Sequence, residues 1–113
     1  MPKVIQGRIV YALDPILDPQ GNNPKANRPF VVISTLEEIE SGADLRLVGI
    51  SHNVYGEDVE VELPCGDNCW THIRHKSAAI CSWVVRVPQN RVNVGKGIVP
   101  PFHLRTIIQK ARV

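Results

Sequence analysis

The sequence predicts a mostly β fold: a small, barrel-like sheet of antiparallel strands with a short internal helix and a C-terminal helix. Short segments rich in valine, isoleucine and aromatic residues alternate with segments rich in glycine, proline, asparagine and aspartate, which is typical of strands joined by turns. Two segments carry the start signals of helices. The length of 113 residues fits one globular domain, so we expect a single domain over residues 1–113.

The first third of the chain predicts two strands around a long loop. Residues 4–13 contain β-branched and aromatic residues around Gly7, which indicates a strand with a bend at the glycine. Residues 18–27 are almost all turn-forming, and a loop of this length in a compact domain is commonly functional. Residues 30–33 form a continuous apolar run, so we expect the central strand there, covered on both faces.

A short helix is predicted after that strand. Two overlapping capping boxes could begin it, one formed by Ser34 with Glu37 and the other by Thr35 with Glu38. Gly42 would end it.

The rest of the chain predicts further strands and the second helix. Strands are expected at residues 45–51, 59–63 and 78–87, and a turn at residues 65–68. Two prolines, Pro100 and Pro101, suit a helix start. One apolar face of that helix would consist of Phe102, Leu104, Ile107 and Ile108.

The charges are divided unevenly along the chain. Residues 68–113 contain eight lysines and arginines and no acid, whereas residues 1–67 carry 11 acids against five basic residues. A basic segment of this kind suits a polyanionic partner such as nucleic acid, because phosphate neutralisation dominates nucleic-acid affinity. A simply solvated basic face is an equally open alternative.

Location is indicated by what the sequence lacks. The N-terminal residues include no apolar run of the length that a secretory signal needs, and no segment approaches the length of a membrane span. Three cysteines, an odd number, suit a reducing compartment better than a disulfide scaffold. We therefore expect a cytoplasmic protein with no membrane partner.

Arg28 and Ser51 are candidate site residues, each with an ordinary alternative. Arg28 lies where the long loop meets the central strand, and its guanidinium suits phosphate binding, although it could be a plain surface arginine. Ser51 and His52 end the strand at residues 45–51. Neighbouring strand residues point to opposite faces, which argues against a Ser–His pair, and the Ser51 hydroxyl could simply complete a turn.

Cysteine and histidine cluster in the second half. Thiolate and imidazole are the ligands that zinc prefers, but Cys65-x3-Cys69 followed by His72-x2-His75 matches no standard zinc finger. We therefore predict no metal and no other cofactor, and structural zinc remains an alternative.

Aromatic residues offer a second route to nucleic acid. Tyr55, Trp70 and Trp83 could stack on unpaired bases, although core packing is the commoner role of each residue type.

Three blocks of sequence resemble the PemK/MazF-like toxin family. Residues 7–15, Gly-Arg-Ile-Val-Tyr-Ala-Leu-Asp-Pro, are similar to that family's first strand. Residues 27–34, Asn-Arg-Pro-Phe-Val-Val-Ile-Ser, resemble its Arg-Pro followed by an apolar strand, and residues 77–92 resemble the strand that usually reads Asp-Gln-x-Arg-Thr. Residues 48–51, Val-Gly-Ile-Ser, take the place of the strand that bears a catalytic threonine or serine.

The resemblance implies an SH3-like barrel and a homodimeric endoribonuclease that cuts single-stranded RNA without a metal. It also implies an antitoxin, whose acidic tail would occupy the basic groove. By position, Arg28 would be the catalytic arginine and Ser51 the catalytic hydroxyl. The residues expected to contact RNA are Arg86, His52, Lys25, Arg74 and Lys76.

The sequence departs from the family pattern within the third block. Trp83 and Val84 stand where the family usually has Asp-Gln, and Val87 replaces the usual threonine. The alternative hypothesis is therefore a non-catalytic module that binds nucleic acid or a protein partner on the same barrel.

Overall fold

The computed structural model describes residues 2–111, which contain six strands and two α-helices. In chain order these are β1 (Arg8–Ala12), β2 (Pro29–Val32), α1 (Leu36–Glu40), β3 (Leu45–Ser51), β4 (Glu60–Leu63), β5 (Ser77–Val87), β6 (Val92–Ile98) and α2 (Pro101–Lys110). A single 3₁₀ turn, Gln89–Arg91, joins β5 to β6. The predicted mostly β fold with an internal and a C-terminal helix is confirmed.

All six strands belong to one antiparallel sheet in the order β4-β5-β3-β2-β1-β6. Strand β2 contains most of the apolar run at residues 30–33. It is one of the two central strands of the sheet, as predicted. β4 and β6 form the two edges, so the strands do not close into a complete ring. The β3–β5 pairing shifts between Val48, which pairs with Val84, and Gly49, which pairs with Ile80. Such a bulge bends the strand that contains the extra residues, here β5.

The sheet is buried on both faces. Val31 and Val48 belong to the core on one face, and helix α2 packs there through Ile107. Phe30 and Leu47 belong to the core on the opposite face. Because successive strand residues point to opposite faces, the continuous apolar run of β2 supplies both cores, which confirms the prediction for this strand.

Helix α1 begins at the second of the two predicted capping boxes. The backbone N–H of Glu38 donates to Thr35 Oγ1 at 3.2 Å, and the N–H of Thr35 donates to Glu38 Oε1 at 3.1 Å. Ser34 is fully buried instead, and its Oγ accepts from the N–H of Arg46 at 2.8 Å. Gly42 follows the helix with φ +80°, as expected for a residue that ends a helix.

Helix α2 matches the predicted start but not the whole predicted face. Ile107 is fully buried, and Leu104 and Ile108 pack against the same core. Phe102 is 76% exposed, so its inclusion in the apolar face was wrong. No helix within residues 2–111 has the length and hydrophobicity that crossing a bilayer would require.

Two features of the sheet differ from the prediction. β6 was not predicted, because Gly95 and Gly97 interrupt its apolar pattern. A Cβ on Gly97 would lie 2.1 Å from the carbonyl oxygen of Thr71, so close backbone approach requires the glycine. β1 begins at Arg8, later than predicted, because Gly7 has φ +93° and lies in the turn before it.

Candidate functional site

A cleft of about 710 Å³ lies where the beginning of β2 meets the end of β3. Phe30 of β2 pairs with Gly49 of β3, and this antiparallel register places the residue before Pro29 near the last residue of β3. Four of the predicted site residues therefore line the same cleft: Lys25, Arg28, Ser51 and His52.

Arg28 is fixed by its backbone surroundings. Its Nε donates to the carbonyl oxygen of Ile16 at 2.8 Å, and its Nη2 donates to the carbonyl oxygen of Asn23. None of the ion pairs among residues 2–111 involves Arg28. Because both bonds go to neutral carbonyls, the positive charge stays available to an anion in the cleft.

The loop in front of Arg28 is held by one carboxylate. Asp18 accepts from the N–H of Gln20 at 3.0 Å, from the N–H of Asn22 at 2.8 Å and from Nδ2 of Asn23 at 3.1 Å. The hydrogen bond from Asn22 is the main reason why the pKa of Asp18 is lowered. Asn23 also binds Arg28, so Asp18 helps to position the guanidinium through it.

Ser51 and His52 have separate hydrogen-bond partners. The Oγ of Ser51 accepts from the N–H of Asn53 at 3.1 Å, which is the turn role that the sequence left open. The Nδ1 of His52 lies 2.8 Å from the Oγ of Ser77 on β5. The two residues share the cleft, but these hydrogen bonds do not link them.

Trp83 forms a buried wall of the cleft. It is 7% exposed, and its ring centroid lies 5.3 Å from that of Phe30. The ring occupies the space beside Gly49, where a Cβ would lie 1.9 Å from Cε3 of the indole. Trp83 therefore has the core role that is common for tryptophan and also borders the site.

A third side of the cleft is the loop at residues 55–57, of which the sequence indicated Tyr55 but not the supporting Glu60. Glu60 on β4 accepts from the backbone N–H groups of Tyr55 at 3.0 Å, Gly56 at 2.6 Å and Glu57 at 3.0 Å. These bonds, above all that from Tyr55, lower the pKa of Glu60. They hold the Tyr55 side chain at the cleft, where it is 73% exposed. In the sequence, Glu60 is only one of the two acids that alternate with Val59, Val61 and Leu63 in the predicted strand.

Comparison with known proteins agrees with this geometry at the level of the fold. No protein-family model matches the sequence, and no curated protein matches it. Among solved structures, MazF of Deinococcus radiodurans superposes with a TM-score of 0.73 at 14% identity, over 98% of this chain and 94% of that chain. The chain has the MazF fold.

Two further structures with this fold contain a second protein. The MazE–MazF complex of Deinococcus radiodurans superposes with a TM-score of 0.69 at 14% identity, covering 96% of this chain and 91% of that chain. An endoribonuclease of a mycobacterial species in complex with its cognate antitoxin gives a TM-score of 0.67 at 15% identity, covering 96% and 94%. The fold implied by the PemK/MazF-like resemblance is therefore confirmed.

The other predicted RNA contacts lie outside the cleft on this MazF fold. Arg74 borders a separate surface depression formed by the loop before β5, together with the exposed Trp70. The Nζ of Lys76 lies 3.7 Å from a carboxylate oxygen of Glu62, and both side chains are exposed. Arg86 is exposed on β5. Their role in RNA binding stays a prediction.

The cysteines and histidines of the zinc alternative do not form a metal site in residues 2–111. Within these residues, no three histidine, cysteine, aspartate or glutamate side chains are grouped so that they could hold a metal ion. Cys65 is an exposed free thiol, Cys69 is half-buried, and Cys81 is buried. The zinc alternative therefore has no ligand cluster to support it in this part of the chain.

Proposed function

We propose that this protein is an endoribonuclease toxin of a toxin–antitoxin pair, which cleaves single-stranded RNA sequence-selectively and without a metal. The observation that carries the proposal is the position of Arg28 and Ser51 in one cleft of a MazF fold. The sequence marks both residues independently of the geometry, and they lie on separate segments, one before β2 and the other at the end of β3.

The proposed reaction is attack of the RNA 2′-hydroxyl on the adjacent phosphorus. The O2′–P bond forms and the P–O5′ bond breaks, which leaves a cyclic phosphate and a free 5′-hydroxyl. Negative charge builds on the non-bridging phosphate oxygens, and Arg28 donates hydrogen bonds to them. Its guanidinium is already oriented by Ile16 and Asn23, so little reorganisation is needed.

Ser51 supplies a second donor to the same phosphate. Its Oγ already accepts from Asn53, so the hydroxyl proton is free to point toward the cleft. Removing one donor of this kind typically lowers the rate by about a hundredfold to a thousandfold.

The remaining contacts would hold the RNA strand. Lys25 and His52 line the cleft, where Lys25 would bind a phosphate next to the scissile one and His52 would contact the RNA at the cleavage site. Arg74, Lys76 and Arg86 would meet the strand farther along. The exposed ring of Tyr55 at the cleft suits stacking on an unpaired base, which is how single-stranded RNA is usually held.

The proposal includes a protein partner and a location. The partner is an antitoxin with an acidic tail that covers the cleft; support comes from solved MazF-fold proteins described in complex with MazE or with a cognate antitoxin. The toxin itself would act as a homodimer in the cytoplasm. Three free thiols are compatible with a reducing compartment.

Cleavage of a single-stranded RNA oligonucleotide in the presence of a chelator tests the function. Wild-type protein should cleave it, and Arg28→Ala should lose about a hundredfold or more of the rate. Arg105→Ala, which removes an exposed arginine on α2, serves as the matched control and should keep the wild-type rate. No cleavage by the wild type, or equal cleavage by Arg28→Ala, would reject the proposal.

The same experiment identifies the non-catalytic alternative. The departure that favours this alternative is Trp83-Val84, which stands where the family usually has Asp-Gln. A binding module would retain RNA without turnover, and its affinity would fall steeply as salt rises.

A further inference from the structure

A chain of hydrogen bonds leads from the cleft into the sheet through His52. The Nδ1 of His52 lies 2.8 Å from Ser77 Oγ, and that hydroxyl donates to the carbonyl oxygen of His75 at 3.0 Å. Ser77 is fully buried at the start of β5. His52 itself is exposed and lines the cleft that contains Arg28 and Ser51.

The direction of these bonds fixes the tautomer of the imidazole. Because the Ser77 hydroxyl gives its proton to the His75 carbonyl, its oxygen can only accept from Nδ1–H. In the neutral ring the Nε2 atom then carries the lone pair. A histidine oriented by a second hydrogen-bonding group in this way suits proton transfer.

We propose that His52 is the general base of the reaction and that Ser77 is the residue that positions it. This inference rests on the proposed ribonuclease function and adds the residue that accepts the proton. Neither Arg28 nor Ser51 suits that role, because the guanidinium stays protonated at any working pH and the serine hydroxyl is a weak base.

The proton balance of the step is simple. As O2′ bonds to phosphorus, its proton passes to Nε2 of His52, and the positive charge of the imidazolium is stabilised by the Nδ1–H bond to Ser77. As the P–O5′ bond breaks, O5′ takes a proton from solvent water. The imidazolium returns its proton to solvent, which restores the enzyme.

Several charged or titratable groups lie beside His52 or line the same cleft, Tyr55 among them. The His75 ring stands edge-on with its centroid 6.2 Å away. The cleft also contains Asp18, Lys25, Arg28, Glu57 and Glu60. Asp18 and Glu60 are occupied by backbone N–H donors, and both have lowered pKa values, so they are poor competitors for the O2′ proton.

The pH dependence of kcat/KM on the RNA oligonucleotide tests this assignment. Because His52 can accept the O2′ proton only in its neutral form, the wild-type kcat/KM should rise with pH to a plateau. His52→Asn keeps an amide that can donate to Ser77 but offers no base. We expect this variant to lose about a hundredfold or more in rate. It should also lose the rising limb of the pH profile, that is, the increase of kcat/KM with pH.

Two further variants separate chemistry from structure. Ser77→Ala should lower the rate about tenfold while it keeps the rising limb, because the base is present but poorly oriented. His72→Asn, which changes an exposed histidine outside the cleft, should keep both the rate and the limb. His72 has φ +57°, a backbone conformation that asparagine tolerates, so the control should fold normally.

The outcomes separate the assignment of His52 as the base from the proposed ribonuclease function on which it rests. If the wild type cleaves RNA in an Arg28-dependent manner but His52→Asn retains the wild-type pH profile, the assignment of His52 is overturned and the proposed function stands. If the wild type cleaves no RNA, both fail. A folded His52→Asn protein, judged by circular dichroism, with a flat and lowered profile supports the assignment.

Discussion

The guanidinium carbon of Arg28 lies 5.6 Å from the centre of the Trp83 ring. A cation at this distance from an indole face is attracted by the ring quadrupole, so Trp83 contributes to the position of Arg28. Two backbone carbonyls orient the guanidinium, and the ring supports it from the core side. The tryptophan that departs from the family pattern thus contacts the residue proposed as catalytic.

Replacing this ring should separate its aromatic role from its bulk. Trp83→Phe retains an aromatic face beneath Arg28, whereas Trp83→Leu removes it. Because a cation–π contact contributes about 0.5 to 2 kcal/mol, the leucine variant should cleave RNA about 2-fold to 30-fold more slowly than the phenylalanine variant. Urea unfolding of both variants controls for lost packing, and equal cleavage rates would show that the aromatic face is irrelevant.

Gly49 is required by the same tryptophan. A Cβ at this position would lie 1.9 Å from Cε3 of Trp83, so Gly49→Ala must displace the ring. We expect a loss of about 1 to 3 kcal/mol in the free energy of unfolding, measured with urea. In a Trp83→Leu background the same change should cost much less, because the clashing ring is absent. Additive losses in the double variant would contradict this explanation.

Local patterns explain what the sequence could predict of the fold. The Thr35–Glu38 capping box involves residues three apart, and it formed as one of the two alternatives expected. β3 begins and ends where its apolar alternation does. β6 was missed because its glycines are required where neighbouring backbone approaches closely, as Thr71 does at Gly97. No pattern within the strand itself indicates that contact.

The site was predictable only in part for the same reason. Arg28 and Ser51 could be selected because the PemK/MazF-like resemblance marks their positions. The bond between His52 and Ser77 joins residues 25 positions apart, and it depends on the register of β3 against β5. Glu60 supports the loop at residues 55–57 only because β4 lies beside that loop, and no local sequence pattern indicates this position.

Glu38 should make the stability of the protein depend on pH below neutrality. Its bonds to Arg46, and then to the N–H of Thr35, lower its pKa from 4.5 to about 2. The charged form is thus favoured in the folded state, so its stabilisation is complete above pH 4.5 and is lost as the pH falls toward 2. Glu38→Gln keeps a capping side chain but not the charge.

We expect Glu38→Gln to lose about 0.5 to 1 kcal/mol at pH 7 and little at the acid end, because the ion pair is about one-third exposed and solvent-screened. Urea unfolding at several pH values measures this difference. Glu40→Gln, which alters an exposed carboxylate on the same helix, should retain the pH dependence of the wild type. An equal loss for Glu38→Gln at pH 7 and pH 2 would contradict the mechanism.

Glu60 should control the order of the loop that holds Tyr55 at the cleft. Its carboxylate accepts from three consecutive backbone N–H groups, those of Tyr55, Gly56 and Glu57, and its pKa is lowered from 4.5 as a result. Glu60→Gln removes the charge and one strong acceptor, so these amides should lose protection from hydrogen exchange. In the wild type the protection should be complete above pH 4.5 and should fall as the pH drops through the lowered pKa.

Glu62→Gln provides the matched control, because Glu62 lies on the same strand and its carboxylate contacts only Lys76 among the ion pairs of residues 2–111. It should leave the exchange of the three amides unchanged. If the loop positions Tyr55 for a base, Glu60→Gln should also raise KM for RNA more than it lowers kcat, since Arg28 and Ser51 are untouched. Wild-type protection of the three amides in Glu60→Gln would show that other contacts order the loop, such as the bond from Lys110 Nζ to the Asp58 carbonyl at 2.6 Å.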